Sequence, residues 1–250
     1  MKKKFNSIYL LISSVLIGLL HLSFGFAKSA AGSKLFYHAP ADTTTKSIVE
    51  KNTYTPMMKS VYDSLHLDLK GLSQQAFEYA KRGFDKLIEQ GKLMNNSIIS
   101  IIDFSEPSNK KRLFIIDLKN YKVLFNTLVA HGKNTGLESA TSFSNQNESH
   151  KSSPGFYVTR ETYEGKNGYS LKLDGLEQGI NDNAYERGIV FHGAPYVNDA
   201  IANERGFIGR SFGCPAVPLQ MNAPIINTIK NGTCVFVYHP SYVDRSSLLK

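Results

Sequence analysis

Apolar positions change their spacing twice along this chain. An apolar run from Ile8 through Leu20, ending near Phe26, follows Lys2, Lys3 and Lys4, with Gly25 and Ala27 close behind. Residues 28–55 are rich in Ser, Thr, Ala and Lys and read as a linker. Apolar side chains then recur at three- and four-residue spacing. Phe77, Ala80, Phe84, Leu87 and Ile88 form one stripe, the signature of a helix face that must pack on something. The pattern predicts one helix over about Met57–Leu65. It predicts a second from the N-cap Ser73 to about Gln90, stopped by Gly91. From residue 97 the runs are short and β-branched or aromatic. Ser97–Phe104, Arg112–Leu118, Val123–His131, Phe156–Tyr163, Ser170–Leu173, Gly188–His192 and Thr233–Tyr238 are predicted strands. Leu118-Lys119-Asn120-Tyr121 reads as a hairpin connection, and Gly132–Pro154 as a long Ser-, Asn- and Gly-rich loop. Asn222–Ile229, before Gly232, reads as a short helix. The fold class is therefore mainly β, with N-terminal helices and a short C-terminal helix.

Composition narrows this picture. With 250 residues, 42% hydrophobic and 20% charged, the chain is not disordered and fits one globular domain with a helical appendage. Two cysteines exclude a disulfide scaffold or a Cys-rich zinc module. The formal charge of +8 is partly an export feature. Residues 1–27 have the three-part pattern of a signal peptide, and losing their three lysines leaves +5. The competing reading is a retained anchor, but the uninterrupted apolar core is short for a membrane span. The expectation is a signal peptide over 1–27, a linker over 28–55 and a catalytic domain over 56–250. That domain would begin with a helical region over 56–92 and have no stable membrane insertion after cleavage. No Lys/Arg tract exceeds three residues, so nucleic acid is not an expected partner.

Candidate chemistry concentrates in two segments. Cys214 lies in Gly209-Arg210-Ser211-Phe212-Gly213-Cys214-Pro215, where flanking Gly and Pro imply a tight, non-helical turn. Backbone N–H groups at such a turn can point at a reacting carbonyl oxygen, and Arg210 puts a positive charge close in sequence to the thiol. His192 ends an apolar strand in Gly188-Ile189-Val190-Phe191-His192-Gly193-Ala194, where a base would be rigidly held yet open to a cleft. A thiol–imidazole pair divides acyl transfer into two steps. Cys234, in Thr233-Cys234-Val235-Phe236-Val237-Tyr238, has a buried-strand context. Two other uses compete: a Cys214–Cys234 disulfide, or zinc held by Cys214, His192 and His131. His131 ends a strand as well, and contact with substrate or with its own loop are equal readings there.

Together these segments resemble the active-site pattern of the L,D-transpeptidases, the YkuD-type cell-wall enzymes. The closer resemblance is to the murein L,D-transpeptidase catalytic domain family. It is carried by His192-Gly193, by Gly209-Arg210-Ser211-Phe212-Gly213-Cys214, and by Val129-Ala130-His131-Gly132 and Ser152-Ser153-Pro154-Gly155-Phe156-Tyr157. The resemblance implies a YkuD-like β-sandwich catalytic domain that acts without metal or organic cofactor on peptidoglycan stem peptides, in the periplasm or at the cell wall. It implies that Cys214 attacks the carbonyl of an L,D peptide bond and that His192 is the base, its ring oriented by the carbonyl of Gly193. Backbone N–H groups around Gly213 and Cys214 would hold the oxyanion. Arg210, Ser211 and His131 would bind substrate. The chain departs from the family pattern in two places: Phe212 replaces the usual His, and Pro215-Ala216-Val217 stands where an Arg is common, with Arg210 as the candidate substitute. The alternatives are an L,D-carboxypeptidase, in which water takes the acyl group, and a peptidoglycan-binding module with an inert thiol. Gly132–Pro154 and Pro195–Ile208 are the expected walls of an acceptor cleft.

Overall fold

A computed structural model describes residues 61–250. The signal-peptide and linker expectations, and the first residues of the 57–65 helix, lie outside the described residues.

Helix α1 spans Gln74–Glu89. Ser73 caps it, with Oγ accepting the Ala76 N–H at 3.2 Å. The stripe read from the sequence is the buried face: Ala76, Phe77, Ala80, Gly83, Phe84 and Leu87 are covered. Each of the three large side chains contributes about 2 kcal/mol by area burial. Gly83 lets the helix approach closely, because a Cβ there would stand 2.0 Å from the Phe156 ring.

The eight strands are β1 (Ile98–Asp103), β2 (Leu113–Asp117), β3 (Lys122–Thr127), β4 (Gly155–Gly165), β5 (Gly168–Gly175), β6 (Val190–Ala194), β7 (Ala216–Pro218) and β8 (Cys234–Tyr238). They form one sheet in the order β3-β2-β1-β8-β4-β5-β6-β7. The two ends of that order meet. Just past β3, Ala130 bridges Ala216 of the opposite edge strand β7, and Gly132 bridges Ser211. The sheet thus closes on itself, which shields the edge strands from pairing with other chains.

Strand alternation divides the core by face. Cys234, Phe236 and Tyr238 of β8 pack with Ile99, Ile101, Phe114 and Ile116 against α1, while Val235 and Val237 join Leu113, Ile115, Tyr157, Leu171 and Phe191 on the other face. The mainly-β expectation therefore holds, and seven of the strands lie where the apolar runs put them. The eighth, β7, has three residues, too few for a periodicity. Helix α2 (Asp199–Arg205) forms inside Pro195–Ile208, one of the two expected cleft walls. Helix α3 (Leu219–Ile229) starts three residues before its predicted start, and its Ile225, Ile226 and Ile229 are fully buried. A buried carboxylate fastens the C-terminal segment. Glu177 accepts the Phe156 N–H at 2.9 Å and the hydroxyls of Tyr242 and Ser246. No helix among the described residues is long and apolar enough to cross a membrane.

Candidate active site

The parallel pair β6–β7 sets the geometry of the site. His192 pairs with Ala216 on one side and with Ser170 of β5 on the other. The His192 N–H donates to the Pro215 carbonyl at 3.3 Å, and the Val190 N–H reaches the Cys214 Sγ at 3.4 Å. Thiol and imidazole thus stand on adjoining segments, 22 residues apart in sequence but two positions apart in register.

The turn carrying the thiol is held by its own side chain. Ser211 Oγ accepts the Gly213 N–H at 3.0 Å and donates to the Cys214 carbonyl at 2.7 Å. Gly213 has φ +126°, a conformation that L side chains rarely adopt, and a Cβ there would meet the Lys151 carbonyl at 2.9 Å. From the other side, Ser152 Oγ donates to the Gly213 carbonyl and accepts the Gly132 N–H, both at 3.0 Å.

His192 is 5% exposed, and its Nδ1 lies 3.0 Å from the Gly193 carbonyl. A carbonyl can only accept, so Nδ1 carries the proton and Nε2 keeps its lone pair. Burial holds the imidazole below its ordinary pKa, against the opposing pull of the Gly193 bond. Burial likewise pushes the Cys214 thiol up, opposed by the Val190 N–H and the Arg187 charge. Both shifts favour the uncharged forms, so the resting pair is thiol and neutral imidazole rather than thiolate and imidazolium.

Arg187 is the residue that sequence reasoning missed. Its Nη1 donates to the Ser144 carbonyl at 2.9 Å and to Ser153 Oγ at 2.6 Å. Its Nη2 donates to Ser149 Oγ at 3.2 Å and to the Lys151 carbonyl at 2.6 Å. One guanidinium therefore fastens the long loop beside the thiol turn and supplies the cation that acts on Cys214. Asn145 ties the same loop to Asp182 and Asn183. No local motif around Arg187 signals this, because its partners lie 34 to 43 residues earlier in the chain.

The residues expected to bind substrate have partners within the protein. His131 is fully buried. Its Nδ1 accepts from Arg112 Nη2 at 2.8 Å, and its Nε2 faces the Gly136 carbonyl at 3.2 Å. Burial and the Arg112 charge pull it down to about 4. Both nitrogens have partners within the protein, the arrangement that the loop-bonding reading expects. The Ser211 hydroxyl is used twice within the turn. Arg210 donates to the Lys133 and Gly136 carbonyls at 3.0 and 3.1 Å, and the thiol feels Arg187 instead. The Gly213 N–H, expected to hold an oxyanion, is taken by Ser211 Oγ. Cys214 and Cys234 are both free, and Cys234 is buried on the α1 face of the sheet, so they form no disulfide. Phe212 is 65% exposed, with His150 at 4.6 Å between ring centroids and Lys133 Nζ 4.4 Å above its ring.

The profile of one family, described as the L,D-transpeptidase catalytic domain, matches residues 68–238. That span holds the whole sheet and every residue of the site. The chain belongs to the L,D-transpeptidase catalytic domain family. Comparison with curated proteins finds no match. Among solved structures, an L,D-transpeptidase from Mycobacterium smegmatis is 11% identical, with 57% of this chain and 59% of that chain covered and a TM-score of 0.37. L,D-transpeptidase 3 from Mycobacterium tuberculosis is 11% identical over 57% and 61%, with a TM-score of 0.36. The helical cell shape determining protein from Campylobacter jejuni is 12% identical over 67% and 57%, with a TM-score of 0.40. This L,D-transpeptidase-family chain thus spans about three fifths of the length of each.

Proposed function

We propose that this protein is an exported cysteine acyltransferase that acts on peptidoglycan stem peptides. In this reading residues 1–27 direct export, and the enzyme works in the periplasm or at the cell wall. The observation that carries the reading is the locked tautomer of His192. Its Nδ1–H is committed to the Gly193 carbonyl, which leaves Nε2 as a base on the strand beside Cys214.

The reaction begins as Nε2 takes the Cys214 proton and sulfur bonds to the carbonyl carbon on the L side of an L,D peptide bond. The tetrahedral oxyanion collapses, the C–N bond breaks, and the leaving amine takes the proton from Nε2. The stem remains on sulfur as a thioester. An acceptor amine then attacks, gives its proton to Nε2, and the C–S bond breaks as sulfur regains a proton. Because the resting pair is uncharged, the proton moves at the moment of attack, as general base catalysis requires. No step calls for a metal or organic cofactor.

Product analysis tests the reading. A donor stem is mixed with a second stem bearing a free amine. Transfer predicts a cross-linked product and a thioester that discharges faster as the amine concentration rises. Discharge indifferent to the amine, with only shortened stems formed, would make the protein an L,D-carboxypeptidase.

A further inference from the structure

The thiol turn carries positive charge that no carboxylate balances. Four basic residues belong to this turn or touch it. Arg210 lies in it, and the Lys133 N–H donates to its Ser211 carbonyl at 2.8 Å. A Cβ on Gly213 would stand 2.9 Å from the Lys151 carbonyl and 3.5 Å from Arg187 Nη2. The side-chain ion pairs among the described residues are Lys81–Asp85, Arg160–Asp174 and Lys172–Glu161, and none involves these four. Arg187 bonds only to carbonyls and hydroxyls, Lys151 Nζ donates to Ser142 Oγ at 2.7 Å, and Arg210 donates to two carbonyls. Glu138 and Glu148, the acids of the same long loop, pair with none of them. A site of one sign raises the local concentration of ligands of the other.

Lys133 differs from the other three in having all its side-chain donors to spare. The residue is exposed, and its Nζ contacts the Phe212 ring, 4.4 Å from the centroid, with no hydrogen-bond acceptor among the described residues. Its backbone is pinned to the turn on both sides. Its N–H bonds to Ser211, its carbonyl accepts from Arg210 Nη1 at 3.0 Å, and the preceding Gly132 bridges Ser211. Phe212 is unusual in a different way. It is 65% exposed between the buried Ser211 and Gly213, two residues before the thiol, and its ring packs 4.6 Å from that of His150. The ring thus keeps apolar surface in water that a bound ligand would cover.

We propose that Lys133 and Phe212 form a specificity site for a carboxylate-bearing residue of the acyl donor. The ammonium pairs with the carboxylate, and the ring covers the aliphatic stretch beside it. This deepens the stem-peptide reading and rests on it. The site separates a stem whose carboxylates are free from one in which they are amidated. A carboxylate makes a charge-assisted bond to the uncommitted ammonium, whereas a carboxamide oxygen offers only a neutral acceptor.

The test is binding by calorimetry to the full chain carrying Cys214→Ala, which holds the ligand without acylation. The probes are a synthetic stem tetrapeptide with free carboxylates and the same peptide fully amidated. The acid should bind about three- to tenfold more tightly than the amide. Added Lys133→Met should abolish that preference while leaving amide binding within about twofold, which also shows that the variant is folded. Lys133→Arg should keep the preference, and rising salt should shrink it. Phe212→Ala should weaken both forms about equally. A preference absent from the parent or surviving Lys133→Met, unaltered binding in Phe212→Ala, or no binding of either peptide would overturn the assignment. The adduct on Cys214 in the parent chain is read separately. Charge-dependent binding without an adduct would leave this site standing and defeat the acyl-transfer reading. An adduct without charge preference would do the reverse.

Discussion

The Gly193 carbonyl accepts the Nδ1 proton of His192, the residue immediately before it, at 3.0 Å. This contact fixes which nitrogen can act as a base. His192→Ala should lower the rate of Cys214 acylation by about 10²–10⁴-fold. The same change at the exposed His66 should leave the rate unaltered. Single-turnover acylation followed by intact mass measures both, and near-normal acylation in the His192 variant would remove it from the mechanism.

The thiol should titrate high. Burial outweighs the Val190 N–H and the Arg187 charge, so the apparent pKa for iodoacetamide labelling of Cys214 should exceed the ordinary thiol value of 9.0. The acid limb of acylation should lie below 6.5, because burial lowers His192. A labelling pKa well under 9.0 would instead indicate a preformed thiolate–imidazolium pair.

Arg187 joins two functions that different substitutions can separate. Arg187→Lys keeps a positive charge but cannot reach four acceptors, so the 142–153 loop should exchange its amide hydrogens faster while the thiol pKa rises little. Arg187→Met should do both, loosening the loop and raising the thiol further. Unchanged exchange in both variants would mean that the loop is held by other contacts.

Much of this arrangement is visible in sequence, and the division has physical causes. The apolar stripe of α1 and the continuous β-branched and aromatic runs of β1, β2 and β8 are local signals, and they predicted those elements to within about two residues. Cys214 and His192 stand out because each has a chemically uncommon neighbourhood: glycine and proline around one, a strand end at the other. The internal partners of Arg210, Ser211 and His131 did not follow from position. Whether a polar side chain faces substrate or backbone depends on partners from distant segments, such as Arg112 for His131. Arg187 was missed for the same reason, and β7 because three residues carry no period.

Buried His131 makes stability depend on pH. Its folded pKa of about 4 lies below the ordinary 6.5, so the unfolded chain binds its proton first as pH falls. Stability present above 6.5 should therefore be lost between 6.5 and 4, by about 3 kcal/mol from this group. His192 and His239 act with the same sign. Urea unfolding at pH 7.5 and 4.5 should show the loss. His131→Gln, which still offers Arg112 an acceptor, should reduce it. An equal pH dependence in the variant would exclude His131 as its source.

The central claim is that Cys214 carries the acyl group. The most direct measurement is the intact mass of the protein after brief exposure to a stem peptide, with the adduct located by fragmentation. The account predicts one adduct, equal to the stem minus the residue beyond the scissile bond, on Cys214 and absent from Cys214→Ala. Cys234→Ala should carry it normally, since Cys234 is buried on the other face of the sheet. Turnover that persists in Cys214→Ala, or an adduct found on another residue, would contradict it.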